Sequence, residues 1–217
     1  MQHPISCLFM RGGTSRGPFF NAADHPVDLA ARDRVLLNVM GSPDRRQIDG
    51  LGGAHPLTSK VGILSRSRRS GIDLEFLFAQ LQSDGDAVDT TPNRGNMLAA
   101  VVPFALETGL ATLEGDGTTL RVLTRNTDMT RDISVRTPSE RLRYDADARI
   151  DGVASVPPGA IKRISVEHPS GEFSVELETD PANPQTVQRA ALLQTARLIM
   201  RGEVMMSESA FIGGDAT

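Results

Sequence analysis

Residues 96–110 read NMLAAVVPFALETGL, a run in which only Asn96, Glu107 and Thr108 are polar. A segment of this length that is apolar on every side predicts a helix buried inside the protein. The residues before it, TPNRGN at 91–96, place Arg94 just where this helix begins. An arginine is unexpected there, because its guanidinium group stays charged at all working pH values.

Short strands are predicted on both sides of the buried helix. Apolar runs bounded by glycine or polar turns occur at residues 5–10, 61–64, 74–82, 120–123 and 133–135. A second helix is predicted over residues 29–40, because its apolar residues recur at helical spacing and Gly41 supplies a stop. Many short strands with one buried helix among them are typical of an α+β protein.

The C-terminal third has a different character. Residues 151–160, DGVASVPPGA, are rich in proline and glycine and are predicted to form a linker. The segments IKRISV and GEFSVELE, on either side of EHPSG, predict a β-hairpin. Residues 183–202 predict a helix, because Asn183 can cap it, Pro184 suits its first turn and Gly202 suits its end. The apolar face of this predicted helix consists of Leu192, Ala196, Ile199 and Met200.

The composition is that of an ordinary globular chain. Its 217 residues are 39% hydrophobic and 23% charged, enough to bury the core of one large or two small domains. A net charge of −4 gives no reason to expect nucleic acid or an anionic membrane as a partner. No apolar run approaches the roughly 18 residues of a membrane span, and no signal peptide follows Met1. Cys7 is the only cysteine, which excludes an internal disulfide and a zinc site made of thiolates, so a cytoplasmic protein is expected.

Three glycine-containing loops could bring backbone N–H groups close to a ligand. They are MRGGTSRG at residues 10–17, GLGGAHPLTSK at residues 50–60 and NRGN at residues 93–96. The third precedes the buried helix, where unpaired N–H groups and the helix dipole favour an anion. None matches a phosphate-binding or dinucleotide-binding fingerprint. Turns that require positive φ explain the same glycines, and both interpretations remain open at this point.

Lys60 stands directly before an apolar strand. Burial there would lower the pKa of its ammonium group and let the amine act as a base. The alternative is a lysine at a strand end that extends its charged group into solvent. His55 lies in the same loop and is a second candidate, although the four histidines together show no spacing typical of metal ligands.

Taken together and in this order, the segments CLFMRGGTSRG, QIDGLGGAHPLTSKVGIL and GNMLAAVVPFALE resemble the PrpF family. The resemblance runs through most of the first 155 residues and returns at HPSGEFSVELE. It implies an α+β, diaminopimelate-epimerase-like fold, in which two similar barrel-like domains each wrap a central helix and the active site lies between them. Family members shift a proton in a small unsaturated di- or tricarboxylate, such as 4-oxalomesaconate or methylaconitate, without a metal or organic cofactor.

The sequence departs from the family pattern at two positions in the loops. The family usually has Cys-Gly-Asn at the start of the buried helix, where this chain has Arg94-Gly95-Asn96. An arginine cannot serve as a base as a cysteine can, but it can clamp a carboxylate with two hydrogen bonds. Arg16 stands where the family usually has a lysine, which keeps the charge and alters its geometry.

A larger departure concerns length. Family members carry a whole second domain between the stretches resembling DARIDGV and HPSG, which only residues 154–167 separate here. The chain therefore resembles an internally shortened member with the second domain largely missing. We expect an N-terminal domain at residues 1–155, with its central helix at about 95–109, and a remnant at residues 156–217 formed by the hairpin and a C-terminal helix. The apolar surface left by the missing wall should favour a homodimer.

The resemblance also implies roles for the site residues. Lys60 would remove the proton, and the substrate would be bound by Arg11, Gly12, Gly13, Thr14, Ser15, Gly52, Gly53, Thr58, Ser59, Asn93, Arg94, Gly95 and Asn96. Among these, a hydroxyl of Ser15, Thr58 or Ser59 would stabilise the enolate intermediate. The alternatives are a catalytically impaired remnant that binds carboxylates or dimerises, favoured by Arg94 and the missing domain, and a decayed chain without independent function.

Overall fold

A barrel of β-strands surrounds the apolar run at residues 96–110. The computed structural model describes residues 2–91, 95–155, 160–168, 171–183 and 186–211. Its strands are β1 (Gln2–Gly12), β2 (Ser15–Asn21), β3 (Lys60–Arg66), β4 (Leu74–Leu81), β5 (Val88–Asp89), β6 (Gly117–Thr124), β7 (Met129–Arg136), β8 (Asp147–Ser155), β9 (Ala160–His168), β10 (Gly171–Thr179) and β11 (Val187–Ser207). Its α-helices are α1 (Leu29–Met40), α2 (Gly95–Leu98), α3 (Val101–Glu107) and α4 (Glu208–Phe211), and short 3-10 helices lie at Ala22–Asp24 and Pro138–Glu140.

Within the described residues, eight strands form a closed barrel. Neighbouring strands follow the order β1-β2-β3-β4-β6-β7-β8-β11, and β11 then pairs with β1. Most pairs are antiparallel, but β2–β3 and β4–β6 are parallel, so the barrel is mixed. Strands β9 and β10 extend the sheet beyond β11, and β5 adds a short strand to β4. The predicted strands at residues 5–10, 61–64, 74–82, 120–123 and 133–135 all lie in this barrel.

The central helix fills the barrel. Its side chains pack with those of the barrel wall in one buried apolar cluster, which contains Phe104 of α3 together with Phe19 and Phe76. The ring centroids of Phe19 and Phe104 are 6.0 Å apart, and Phe19 stacks on Phe76 at 6.3 Å. The buried helix predicted at about 95–109 is therefore confirmed, with a break at residues 99–100 that divides it into α2 and α3.

Helix α1 packs against the outside of the barrel. The Asp28 carboxylate caps it by accepting a hydrogen bond from the Ala31 N–H at 2.8 Å, and Gly41 ends it with a left-handed φ of 74°. Its apolar face forms a second buried cluster with residues of β1, β3 and β4. Because successive side chains of a strand point to opposite faces, Cys7 belongs to this outer cluster and Leu8 to the inner one. The predicted helix and its glycine stop are confirmed.

The prediction of a C-terminal helix is wrong. Residues 187–207 form the long strand β11, which pairs with β8 and β10 at its start and with β1 through residues 196–207. Alanine, leucine and glutamine favour a helix locally, but this preference is weak and the pairing with three strands outweighs it. In the folded strand, residues 201–206 alternate between more exposed and less exposed positions, although their sequence, RGEVMM, shows no alternation of polar and apolar residues.

Two further predictions concern the segments before β11. The linker predicted at residues 151–160 is wrong in its first half, because β8 continues to Ser155; residues 156–159 lie outside the described ones. The predicted hairpin is confirmed, since β9 and β10 are antiparallel with His168 opposite Gly171. The hairpin joins the barrel's own sheet through β11, and the domain boundary at residue 155 stays a prediction. No helix in the described part of the chain is long and apolar enough to span a membrane.

Candidate functional site

A two-residue turn joins β1 to β2 at one end of the barrel. Gly12 pairs with Ser15 across the two strands, which leaves Gly13 and Thr14 as the turn. Gly13 has a φ of 53°, in the left-handed region that tight hairpin turns require and that glycine adopts without strain. Most of the first predicted loop therefore belongs to strands. The positive φ supports the turn interpretation of Gly13, and ligand binding by the backbone N–H groups of the loop stays a prediction.

The turn is wedged between the central helix and β11. A Cβ atom at position 12 would lie 2.5 Å from the backbone oxygen of Asn96, and one at Gly13 would lie 1.7 Å from Oε1 of Gln194. The Gly13 N–H also donates to the backbone oxygen of Thr195 at 2.9 Å. Neither position can carry a side chain without displacing its neighbours, so the glycines fix how closely these three elements approach.

Polar side chains of the turn and the helix meet at this point. Asn96 Nδ2 donates to Thr14 Oγ1 at 2.5 Å. Arg11 Nη1 donates to the backbone oxygens of Gly13 at 2.9 Å and Thr195 at 3.4 Å. A guanidinium group has five N–H donors, so these contacts leave several of them available. The structure thus brings together Arg11, Thr14 and Asn96, three of the predicted substrate-binding residues, whose role in binding stays a prediction.

Lys60 is buried beside the same turn. It begins β3 and is only 3% exposed, and its Nζ donates to Oγ of Ser15, itself 2% exposed, at 2.7 Å. A Cβ at position 17 would lie 1.8 Å from the Lys60 backbone oxygen, so Gly17 lets β2 approach β3 at this point. The alternative of a lysine that extends into solvent is therefore wrong. A buried amine that contacts a hydroxyl next to a polar turn suits proton transfer.

The second glycine-containing loop is attached to the first. The Arg16 N–H donates to the backbone oxygen of Leu57 at 3.0 Å. Gly52 and Gly53 pack against nearby residues of the chain. A Cβ atom added at Gly52 would lie 2.2 Å from Gln47 Oε1, and one added at Gly53 would lie 2.4 Å from Thr58 Oγ1. Their role in binding a substrate stays a prediction, because the close approaches that require glycine there are internal ones.

Two predicted hydroxyl groups of this loop already have acceptors. Ser59 is buried and its Oγ donates to Gln47 Oε1 at 2.7 Å. Thr58 Oγ1 donates to the backbone oxygen of His55 at 3.1 Å. Ser15, by contrast, accepts a hydrogen bond from Lys60 and retains its own proton for another acceptor. Of the three hydroxyls predicted to stabilise an intermediate, Ser15 is the best placed.

The third loop is described only in part. Asn93 and Arg94 lie outside the described residues, and helix α2 begins at Gly95. Helix α2 has only four residues before the break at 99–100. Few peptide dipoles are therefore aligned at its N-terminus, which attracts an anion less strongly than the N-terminus of an unbroken helix would. Gly95 packs instead against β11, since an added Cβ would lie 3.1 Å from Cδ2 of Leu192.

A cavity of about 360 Å³ opens between the turn and the last strands. Its lining consists of Arg11, Gly13, Thr14, Asp147, Ser174, Leu193, Gln194 and Thr195. Sequence reasoning missed the contribution of β8, β10 and β11, because it assigned residues 183–202 to a helix and expected this side of the site to be absent. The sequence of β11 offers no sustained alternation of polar and apolar residues that could have placed it in the sheet.

The single cysteine does not supply a thiol to this cavity. Cys7 lies in the outer cluster under α1, and burial raises the pKa of its thiol. Nor do three or more histidine, cysteine or carboxylate side chains come together as metal ligands in the part of the chain that the structure describes. The amine of Lys60 is therefore the basic group that the geometry offers near the turn.

The structure is that of a mixed eight-stranded barrel around a central helix, with a buried lysine and a polar cavity at one end. The sequence profile of the PrpF protein family matches residues 2–161. The chain belongs to this family.

Two relatives and one solved structure are especially similar. The (4E)-oxalomesaconate Delta-isomerase of Novosphingobium sp. (strain KA1) is 53% identical over 147 residues, which cover 68% of this chain and 41% of that protein. The 4-oxalomesaconate tautomerase of Pseudomonas putida (strain KT2440) is 51% identical over 152 residues, covering 70% and 42%. A crystal structure of methylitaconate-delta-isomerase superposes with a TM-score of 0.85 at 32% identity, over 97% of this chain and 99% of that one. The chain spans less than half the length of the two curated relatives.

Proposed function

We propose that this chain is a cofactor-independent isomerase of the PrpF type, with the diaminopimelate-epimerase-like fold that its sequence resemblance implies. Its substrate would be a small unsaturated di- or tricarboxylate of the 4-oxalomesaconate or methylaconitate kind. The observation that carries the proposal is the buried contact of Lys60 Nζ with Ser15 Oγ, one residue from the polar turn that lines the cavity. The names of the most similar relatives support the substrate class.

The reaction is a proton shift along three carbons. The neutral amine of Lys60 takes a proton from the carbon next to a carboxylate or keto group, and the electron pair moves into an enolate. The same ammonium then returns a proton two carbons away while the double bond moves, so that no proton or electron is gained or lost. The Ser15 hydroxyl can donate its own proton to the enolate oxygen, since it accepts its bond from Lys60.

Arg94 fits this mechanism as a binding group. It stands where the family usually has a proton-transferring cysteine, and a guanidinium group that never loses its proton cannot take over that role. We propose that it clamps a substrate carboxylate, together with Arg11 of the turn, and that Lys60 is the single base. A one-base mechanism predicts that part of the transferred hydrogen stays on the substrate instead of exchanging with water.

The second candidate is a carboxylate-binding or dimerising member of the family with impaired catalysis. It is favoured by the length of the chain, which spans 41% and 42% of its two curated relatives. A site open to water loses the orientation and water exclusion that supply much of an enzymatic rate. This candidate predicts ligand binding without turnover, and a homodimer that covers the open side.

Deuterium exchange separates the two candidates. The purified chain is incubated with 4-oxalomesaconate or methylaconitate in deuterated buffer, and uptake at the allylic carbon is followed by proton NMR, with heat-denatured protein as the control. Uptake above the control supports the isomerase. If a cooperatively folding chain is stabilised by the tricarboxylate and yet catalyses no uptake, the isomerase proposal fails and the binding candidate replaces it.

A further inference from the structure

The side chain of Gln194 is unusual among the residues around the turn. Gln194 is only 5% exposed, lies on β11 and lines the cavity. Its backbone pairs with Ala148 of β8, but its side-chain amide makes no hydrogen bond with the described residues. Its amide atoms reach the cavity, because the buried side-chain nitrogens and oxygens that lack a hydrogen-bond partner in the described part of the chain are those of His25. An amide that lines a cavity and makes no hydrogen bond with the protein is available to bind a ligand.

Two neighbours of Gln194 also have N–H or O–H groups that donate to none of the described residues. Arg11 uses Nη1 for backbone oxygens, which leaves its Nε and Nη2 donors. Thr14 accepts from Asn96, so its own hydroxyl proton is still available. A Cβ atom added at Gly13 would lie 1.7 Å from Gln194 Oε1, so the Gln194 amide lies directly beside the turn. Three kinds of donor therefore line one cavity.

We propose that Gln194 is a substrate-contacting specificity residue, which together with Arg11 and Thr14 binds one terminal carboxylate of the substrate. Several N–H and O–H donors around one positive charge match the oxygens of a carboxylate. The cavity volume of about 360 Å³ suits a small organic acid. Asp147 does not oppose this, because it is exposed at the rim of the cavity.

The geometry also assigns the carboxylate a place relative to the chemistry. Thr14 lines the cavity, and the next residue, Ser15, contacts the amine of Lys60. A carboxylate held by Gln194 and Arg11 therefore lies beside the proton-transfer group, on the β11 side of the turn. The inference rests on the proposed function for its substrate class, but the binding that it predicts can be measured without turnover.

Binding of propane-1,2,3-tricarboxylate, which has no double bond to isomerise, tests the inference by calorimetry at fixed ionic strength. Gln194→Glu places a negative charge against the ligand and should raise Kd at least about 10-fold. Gln194→Met keeps the length of the side chain, removes one neutral hydrogen-bonding group and should raise Kd about 3- to 10-fold. Gln2→Glu is the matched control: it makes the same change at the exposed far end of β1 and should leave Kd unchanged.

Direct contact has its own readout. The side-chain NH₂ signals of Gln194 are assigned by their absence from a ¹⁵N spectrum of Gln194→Met, and they should shift when the tricarboxylate is added to the wild-type chain. Melting curves of each variant show that it is folded. The inference is overturned if the ligand fails to bind at millimolar concentration, if both Gln194 variants bind like wild type, or if the NH₂ signals do not move.

These results separate the inference from the proposed isomerase. Binding that depends on Gln194 without deuterium uptake keeps the inference and removes the isomerase. Uptake that is unaffected in both Gln194 variants, with unchanged binding, keeps the isomerase and removes the inference.

Discussion

Two cavities of similar size lie at opposite ends of the central helix, and they differ in whether their polar groups form hydrogen bonds within the protein. The cavity at the β1–β2 turn has a volume of about 360 Å³, and the cavity at the C-terminal end of α3 has about 340 Å³. At the α3 end, one Glu107 oxygen accepts from the Tyr144 hydroxyl at 2.9 Å and the other from the Arg201 guanidinium group. At the turn end, Arg11, Thr14 and Gln194 keep donors that no described residue accepts.

The difference shows that volume does not identify the site here. Polar groups that form hydrogen bonds with one another, as Glu107 does with Tyr144 and Arg201, lose little stability on burial and need no ligand. Polar groups at the turn end that line the cavity and donate to no described residue remain available to a ligand. The turn end is therefore the candidate active site, while the α3 end is a structural closure of the barrel. Substitutions at the two ends should have opposite consequences for activity and for stability.

The largest contrast is expected between Lys60→Met and Glu107→Gln. If Lys60 is the base, Lys60→Met should lower the rate of deuterium uptake about 10²- to 10⁴-fold, and the variant should still fold, since methionine is apolar and nearly as long. Glu107→Gln should leave uptake unchanged and lower the melting temperature, because an ion pair with Arg201 is lost. NMR exchange rates and melting curves of both variants check this. Wild-type uptake by Lys60→Met would remove Lys60 from the mechanism.

Alanine in place of glycine compares the backbone at the two ends. Gly13 and Gly109 both have positive φ, at 53° and 72°. Alanine should cost about 1–2 kcal/mol at either position for its conformation alone. Only at Gly13 would the new Cβ meet Gln194, whereas nothing lies within 4 Å of one at Gly109. Gly13→Ala should therefore cost about 1–3 kcal/mol more in urea unfolding, since it overpacks the site, and should weaken tricarboxylate binding. Equal losses of stability would contradict the close packing of the turn.

At the turn end, the sequence predicts the features that leave a local pattern of residue types. Glycines that meet a neighbouring backbone, a lysine before an apolar strand and an all-apolar helix each leave a local pattern, so Gly12, Lys60 and the central helix could be predicted. The roles of the individual side chains at the site remain predictions. Ser59 and Thr58 show why: a hydroxyl in a loop gives no sign of whether its proton already has an acceptor in the same loop.

The contribution of β11 could not be predicted in the same way. Its first half, VQRAALLQTAR, consists largely of good helix formers, and what makes it a strand is pairing with β8, β10 and β1, which are distant in sequence. Gln194 therefore escapes detection, because its importance depends on a partner turn about 180 residues away. Long-range pairing decides the fold there, and residue preferences carry little information about it.

Tyr144→Phe tests whether the α3 end is only structural. The variant removes the hydroxyl that donates to Glu107, which remains paired with Arg201, so we expect a loss of about 1 kcal/mol in the free energy of unfolding and no change in ligand binding. Thr119→Val, which removes an exposed hydroxyl contact with Ser134 at 2.8 Å on the barrel surface, is the control and should cost less. Weaker tricarboxylate binding by Tyr144→Phe would mean that the two ends are coupled.

The last effect concerns stability at alkaline pH. Burial, and next the hydrogen bond to Glu107, raise the pKa of Tyr144 above its ordinary value. Above pH about 10 the unfolded tyrosine loses its proton while the folded one keeps it, so the contribution of Tyr144 to stability is complete below that pH and is lost as the pH rises further. Unfolding free energies from pH 9 to 11 should therefore fall more steeply for the wild type than for Tyr144→Phe, by about 1 kcal/mol.

Direct titration can decide this point, because Tyr144 is the only tyrosine in the chain and there is no tryptophan. The ultraviolet absorbance of tyrosinate then reports one group, first in the folded protein and then in urea. A midpoint in the folded protein well above that in urea is expected if Glu107 holds the hydroxyl inside a closed end of the barrel. Equal midpoints would place the hydroxyl in solvent, leave the Glu107 oxygen without its donor and make the α3 cavity as much a candidate for a ligand as the cavity at the turn.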